Sequence, residues 1–147
     1  MNVIGRGTIC MRAECFFDTN VFVYAVDNSA EEVRKKRIAT ELIAKCEFGL
    51  SAQVLQEFYE TVTRKLKRPL SMPEAVQYLD RLQAFPLVPV DGALVTEGIC
   101  NSERYQFSYW DGAIVAAAER LGCETLYSED LNHGQCFKTV RVVNPFR

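Results

Sequence analysis

Short apolar runs alternate along this chain with longer stretches in which apolar residues recur every three or four positions. That rhythm predicts strands separated by helices. Cys15-Phe16-Phe17 reads as the first strand, and Asp18 behind it is placed to cap a helix through Val21, Phe22 and Tyr24. The polar break Asp27-Asn28-Ser29 leads into a second helix whose buried face would be Ile38, Ala39, Leu42, Ile43 and Cys46. Phe48-Gly49-Leu50 reads as the second strand, and Ser51 caps the most regular helix, with Val54, Leu55, Phe58, Tyr59, Val62 and Leu66 on one face. Arg68-Pro69 should break it. Ser71-Met72-Pro73-Glu74 is a capping box with proline in the first turn, opening a helix through Val76, Leu79 and Leu82. Leu87-Val88-Pro89-Val90 reads as the third strand, and Asp91 starts a helix through Leu94, Val95 and Ile99. Ser108-Tyr109-Trp110-Asp111 opens another, bearing Ile114, Val115, Ala118 and Leu121 and closed by Gly122. Thr125-Leu126-Tyr127 is the fourth strand, and Thr139 to Val143 the fifth, expected at an edge. The expected fold class is therefore α/β, a five-stranded, mainly parallel sheet between helices.

A chain of 147 residues, 48% of them hydrophobic, suits one ordinary domain. Residues 12–147 are read as that domain and residues 1–11 as an N-terminal extension. No apolar run is long enough to span a bilayer, and the first residues lack a secretory hydrophobic stretch. A cytoplasmic protein with no membrane association is the expectation. Six scattered cysteines without a C-x-x-C, together with a single histidine, His133, leave no zinc-finger spacing. A reducing compartment is the simpler setting, with disulfides still open. The net charge of −2 means that nucleic acid cannot be held by a global positive field.

Candidate chemistry rests on Asp18, Glu57, Asp111 and Asp130, each at or just after the start of an expected helix or at the end of a strand. Open α/β sheets collect ligands at the carboxyl ends of their strands. Singly, each acid has an ordinary structural explanation: Asp18 as an N-cap, Asp111 as a first-turn acid favoured by the helix dipole, Asp130 as a turn residue. Glu57 is harder to explain, because it lies one turn inside a helix beside the apolar face. Jointly the four would form a like-charged site that needs a cation, and an all-oxygen donor set suits Mg²⁺, with Mn²⁺ the alternative. Such a cluster supports metal-assisted phosphodiester hydrolysis. Thr19, Asn20 and Ser128 are placed to orient the carboxylates or a bound water. No Ser-His-Asp or Cys-His arrangement competes, and no P-loop or G-x-G-x-x-G occurs.

At these positions the sequence resembles the PIN-domain ribonucleases, and within them the VapC-type toxins of toxin–antitoxin pairs. The stretches are Phe16 to Ala25 with its D-T-N signature, Ser51 to Phe58 with Glu57, Ser108 to Ala118 with Asp111, and Leu126 to Asp130. Gly112 replaces a customary alanine, and Ser128 replaces threonine in the T-x-D turn. The likeness runs from Arg12 to the end. It implies a three-layer PIN-like fold, an acidic Mg²⁺ or Mn²⁺ site formed by Asp18, Glu57, Asp111 and Asp130, cleavage of single-stranded or structured RNA, homodimers and a cognate antitoxin. Glu129 stands beside Asp130; Asp130 keeps the T-x-D register.

The rivals are an RNA-processing nuclease of the same fold, a non-catalytic PIN-like binding module, and a receiver domain with an acidic Mg²⁺ pocket. The last needs a lysine after a late strand, where Ser128-Glu129-Asp130 stands instead. RNA-contacting residues are not assigned. Arg34-Lys35-Lys36-Arg37 and Arg64-Lys65-Leu66-Lys67-Arg68 are candidate phosphate contacts, though charge runs on helices are commonly solvated faces. Tyr105, Phe107, Tyr109 and Trp110 crowd ahead of Asp111, where core packing or a dimer contact competes with base stacking. Part of the Glu31 to Leu66 region is a candidate groove for an antitoxin helix.

Overall fold

The computed structural model describes residues 12–147, so the expected extension, residues 1–11, lies outside the described residues. A six-stranded sheet has the order β3-β2-β1-β4-β6-β5. Its strands are β1 (Cys15–Phe17), β2 (Phe48–Ser51), β3 (Leu87–Val88), β4 (Thr125–Tyr127), β5 (Cys136–Phe137) and β6 (Val140–Val143). All pairings are parallel except β5 with β6. Six helices connect them: α1 (Thr19–Val26), α2 (Val33–Lys45), α3 (Ala52–Arg64), α4 (Met72–Leu82), α5 (Gly92–Tyr105) and α6 (Tyr109–Arg120).

β1 and β4 are central; β1 is apolar and buried throughout, as a strand covered on both faces must be, while β4 buries Leu126 fully and leaves Thr125 and Tyr127 half-buried. Phe16, Phe17, Leu50, Leu126, Val115 and Phe137 are fully buried around them. From β1 the chain steps outward through β2 to β3, and later returns to β4 on the other side of β1. The order therefore reverses between β1 and β4, and their carboxyl ends flank the switch point.

Most helix starts follow the capping residues read from the sequence. Asp18, Ser51, Ser71, Asp91 and Ser108 each accept a backbone N–H of the first turn, and Ser71 with Glu74 forms the reciprocal capping box. Gly122 stands in the left-handed region, φ 69°, just past α6.

Four expectations need correction. The strand expected at the edge, Thr139–Val143, lies between β4 and the two-residue β5, which closes onto it as an antiparallel hairpin. The α3 helix stops at Arg64, and Leu66 packs against the core from beyond its end while the Leu70 N–H satisfies the Val62 carbonyl. β3 spans only Leu87–Val88, because Pro89 has no N–H to continue the ladder. Val76 and Ile99 are exposed: α4 buries the Ala75, Tyr78, Leu79, Leu82 stripe, and α5 the Leu94, Gly98, Asn101 stripe.

Candidate active site

Asp18 ends the central strand β1 and caps α1, so its carboxylate stands over the β1–β4 switch point. It is buried; Oδ1 accepts the Thr19 N–H at 2.7 Å and Oδ2 accepts the Ser128 hydroxyl at 2.7 Å. Ser128 follows β4 and is itself fully buried, and its Oγ accepts the Asp130 N–H at 3.2 Å. Asp130 is exposed, and its Oδ2 accepts the Asn20 side-chain amide at 3.3 Å. Asn20 in turn accepts the Glu129 N–H, so the D-T-N corner after β1 and the S-E-D corner after β4 are tied together.

Glu57 comes from α3, which begins at the end of β2. Its Oε2 accepts the Thr19 hydroxyl at 2.8 Å and its Oε1 the Gln53 amide at 2.9 Å. The same Gln53 amide nitrogen reaches the Trp110 carbonyl at 3.2 Å, which links α3 to the first turn of α6 and so to Asp111. Asp111 is half-buried, its own N–H held by the capping Ser108 at 3.1 Å. All four predicted acids thus lie in one hydrogen-bonded neighbourhood at the carboxyl end of the sheet.

Electrostatics couple them as well. Burial pushes the Asp18 carboxyl up to about 7; the Ser128 and Thr19 hydrogen bonds oppose this, while Asp130 and Glu57 add repulsion. Asp111 is also raised, first by burial and then by Asp130 and Glu57, against its bond from Ser108. Among the described residues none of the four acids takes part in an ion pair within 4.0 Å. Glu129, the neighbour of Asp130, behaves differently: it is paired with Lys35 and bonded by the Tyr24 hydroxyl, and so is neutralised within the fold.

The donor set consists of carboxylate, hydroxyl and amide oxygens, which suits a hard divalent cation, and the uncompensated charge is of the kind such an ion relieves. The side chains as they stand are open: among the described residues no three of the His, Cys, Asp or Glu side chains are grouped to hold a metal ion. Both oxygens of Asp18 and of Glu57 are already engaged by protein donors.

Two shallow clefts meet at Glu57 and Glu60. One, about 350 Å³, is lined by Thr19, Asn20, Thr61, Lys65 and Asp130; the other, about 320 Å³, by Gln53, Gln56 and Trp110. The sequence did not single out Gln53, and it offered Lys65 and Trp110 only within a basic run and an aromatic cluster, as candidates for phosphate contact and base stacking. Gln53 stands one helical turn before Glu57, which is the only signal that would have found it. A larger cavity, about 670 Å³, opens at the opposite end of the sheet around Ala13, Glu47 and Glu124, away from these acids.

Comparison with known proteins places this architecture. The chain superposes on the sarcin–ricin-loop-cleaving toxin VapC20 of Mycobacterium tuberculosis with a TM-score of 0.62 at 18% identity, covering 79% of this chain and 89% of that one. On a toxin–antitoxin complex from Klebsiella pneumoniae the TM-score is 0.64 at 16% identity, covering 89% and 97%. On FitAcB from Neisseria gonorrhoeae it is 0.60 at 18% identity, covering 90% and 98%. At these identities the likeness is one of fold. Comparison with curated protein sequences found no match. The family model of the PIN domain matches residues 15–137, and the chain belongs to the PIN-domain family.

Proposed function

We propose that this protein is a metal-dependent endoribonuclease and the toxin of a toxin–antitoxin pair. The observation that carries the reading is the convergence of Asp18, Glu57, Asp111 and Asp130, none ion-paired among the described residues, at the β1–β4 switch point. These four would hold Mg²⁺ or Mn²⁺, their side chains drawing in from the open arrangement. A bound divalent ion supplies charge neutralisation at the phosphate and a more acidic water.

The chain's own residues supply orientation and proton handling. Ser128 and the Thr19 N–H fix the Asp18 carboxylate, while Gln53 and the Thr19 hydroxyl fix Glu57. Asn20 holds one oxygen of Asp130, whose other oxygen accepts no hydrogen bond from the described residues. That oxygen would take the proton of an attacking water. The experiment is cleavage of a panel of labelled single-stranded and hairpin RNAs with Mg²⁺, with Mn²⁺ and with EDTA, beside Asp18→Asn. The expected result is metal-dependent cutting that falls by at least about 100-fold in the variant. Equal cutting by the variant, or in EDTA, would sink the proposal.

Several features support the toxin assignment. The folds it superposes on include toxins and toxin–antitoxin complexes. An apolar cavity of about 380 Å³ between α1, α2, α3 and α4, lined among others by Phe22, Ile43, Tyr78, Leu82 and Phe85, suits the apolar face of an antitoxin helix. A homodimer in the cytoplasm follows from the family resemblance; the five described cysteines, all free, suit a reducing compartment, and among the described residues no helix is long and apolar enough to cross a membrane. The binding-module alternative draws on the occupied oxygens of Asp18 and Glu57. Calorimetric titration with Mn²⁺ separates the two readings, because a pure binding module takes up no metal at these acids.

A further inference from the structure

We propose that Trp110 is a stacking platform for an unpaired base next to the scissile phosphate, a proposal that rests on the nuclease reading above. Trp110 is the chain's only tryptophan and is 61% exposed, whereas every Phe and Tyr except Phe85 is buried or half-buried. Its backbone is fixed on both sides: Gln53 bonds its carbonyl, and the next residue, Asp111, is held by Ser108. The ring of Tyr109 meets its indole edge-on, with centroids 5.1 Å apart. The indole is therefore presented from a rigid first helical turn, one residue before a site acid. It is not a core residue, and exposure of so much apolar ring beside a polar cleft calls for a ligand.

The cleft's chemistry selects that ligand. Trp110 shares it with Gln56 and with Glu57 and Glu60. Two carboxylates repel phosphate, so the part of a polyanion lying here is its uncharged face, the base. Across Glu57 the adjoining cleft carries Lys65 beside Asn20 and Asp130. A backbone entering there meets an ammonium, and the nucleotide across Glu57 lays its base on the indole. Base–aromatic stacking is tolerant of sequence, because every base has a π-face. The exposed amide of Gln56 is the neighbouring group able to bond a base edge.

A sole tryptophan makes the test direct. The intact protein in EDTA is titrated with short rA, rU and rC oligomers and with an abasic ribose-phosphate strand of equal length, while Trp110 fluorescence is followed. Labelled-RNA anisotropy is measured in parallel for Trp110→Ala and Trp110→Phe, both at an exposed position. Expected are quenching by at least one base-bearing strand and none by the abasic strand. Affinity should fall roughly 5- to 150-fold in Trp110→Ala and recover in part in Trp110→Phe. No quenching by any strand, equal quenching by the abasic strand, or unchanged affinity in Trp110→Ala overturns the proposal. So does a change in fluorescence that follows protein concentration without RNA, which would place the indole in a contact between copies. The nuclease reading is judged separately by the Asp18→Asn cleavage assay. Unchanged affinity in Trp110→Ala, with cutting that dies in Asp18→Asn, would remove the platform and leave the nuclease.

Discussion

Burial of Asp18 at the end of β1 raises its carboxyl to about 7, against about 3.8 for the exposed group. Between those values the folded chain binds more protons than the unfolded one, so the free energy of unfolding falls as pH rises through this window. Below about 4 both states are protonated and the folded state carries no penalty; above about 7 the penalty is complete. Each tenfold difference in acidity is worth about 1.4 kcal/mol, so the rise from about 3.8 to about 7 sets the penalty on the order of 4 kcal/mol. Asp18→Asn keeps the oxygen that accepts the Thr19 N–H, and the Ser128 hydroxyl can turn to accept from the new amide. In EDTA at pH 8 the variant is therefore expected to be more stable than the wild type by about 2 kcal/mol or more in urea unfolding, with the difference vanishing near pH 4. A variant less stable than the wild type at pH 8 would mean that the Asp18 hydrogen bonds outweigh its desolvation. This residue was legible in the sequence because a strand ending in D-T-N marks a corner locally. Lys65 and Trp110 stood out there only as members of a basic run and an aromatic cluster, since their place beside Glu57 depends on how α3 and α6 pack, and no local spacing encodes that.

Packing of α5 against α6 sets where Asp111 stands. A Cβ on Gly112 would come 2.3 Å from the Gly98 carbonyl oxygen and 3.0 Å from the Ser102 nitrogen, both backbone atoms that cannot swing aside. The buried Asn101 adds a bond from its amide to the Gly112 carbonyl at 3.0 Å. Helix propensity alone would favour alanine at position 112 by up to about 1 kcal/mol, but the overlap must be relieved by separating the two helices. Gly112→Ala is thus expected to destabilise by about 1–3 kcal/mol in chemical unfolding and to lower cleavage through displacement of the adjacent Asp111. Stabilisation by the variant would show that the helices part freely. The close approach also accounts for glycine where the family resemblance led us to expect alanine. Elements whose ends are written in local chemistry, such as the Ser71–Glu74 capping box, were read correctly. The misread ones were set by partners: β5 has two residues and therefore no period, and it exists only through pairing with β6 across the turn at Lys138.

At the scale of the whole molecule, the proposed RNA substrate has to be held by a chain of net charge −2 with one cation lining the cleft at Glu57 and Asp130. Three of the four cations in the first basic run bond within the fold: Arg34 bonds the backbone oxygens of Phe146 and Arg147, Lys35 pairs with Glu129, and Lys36 bonds Asn28. In the second, Lys67 pairs with Glu31 on the surface. Lys65 is the cation that lines the cleft beside Glu57 and Asp130. Each phosphate contact on a single strand adds about −0.7 to the slope of log affinity against log salt. One or two contacts imply a slope of about −1, far shallower than that of a protein binding through a basic face. The measurement is anisotropy of a labelled RNA across a salt series in EDTA. Lys65→Ala is expected to flatten the slope by about 0.7, and Lys67→Ala to leave it unchanged. Trp110→Ala is expected to lower affinity at every salt concentration without altering the slope, because stacking releases no counterions. A wild-type slope of about −3 or steeper would require a phosphate path over Arg37, Arg64 and Arg68 instead. Binding would then be carried by that surface, and the acidic cleft would meet the strand only at the point of cleavage.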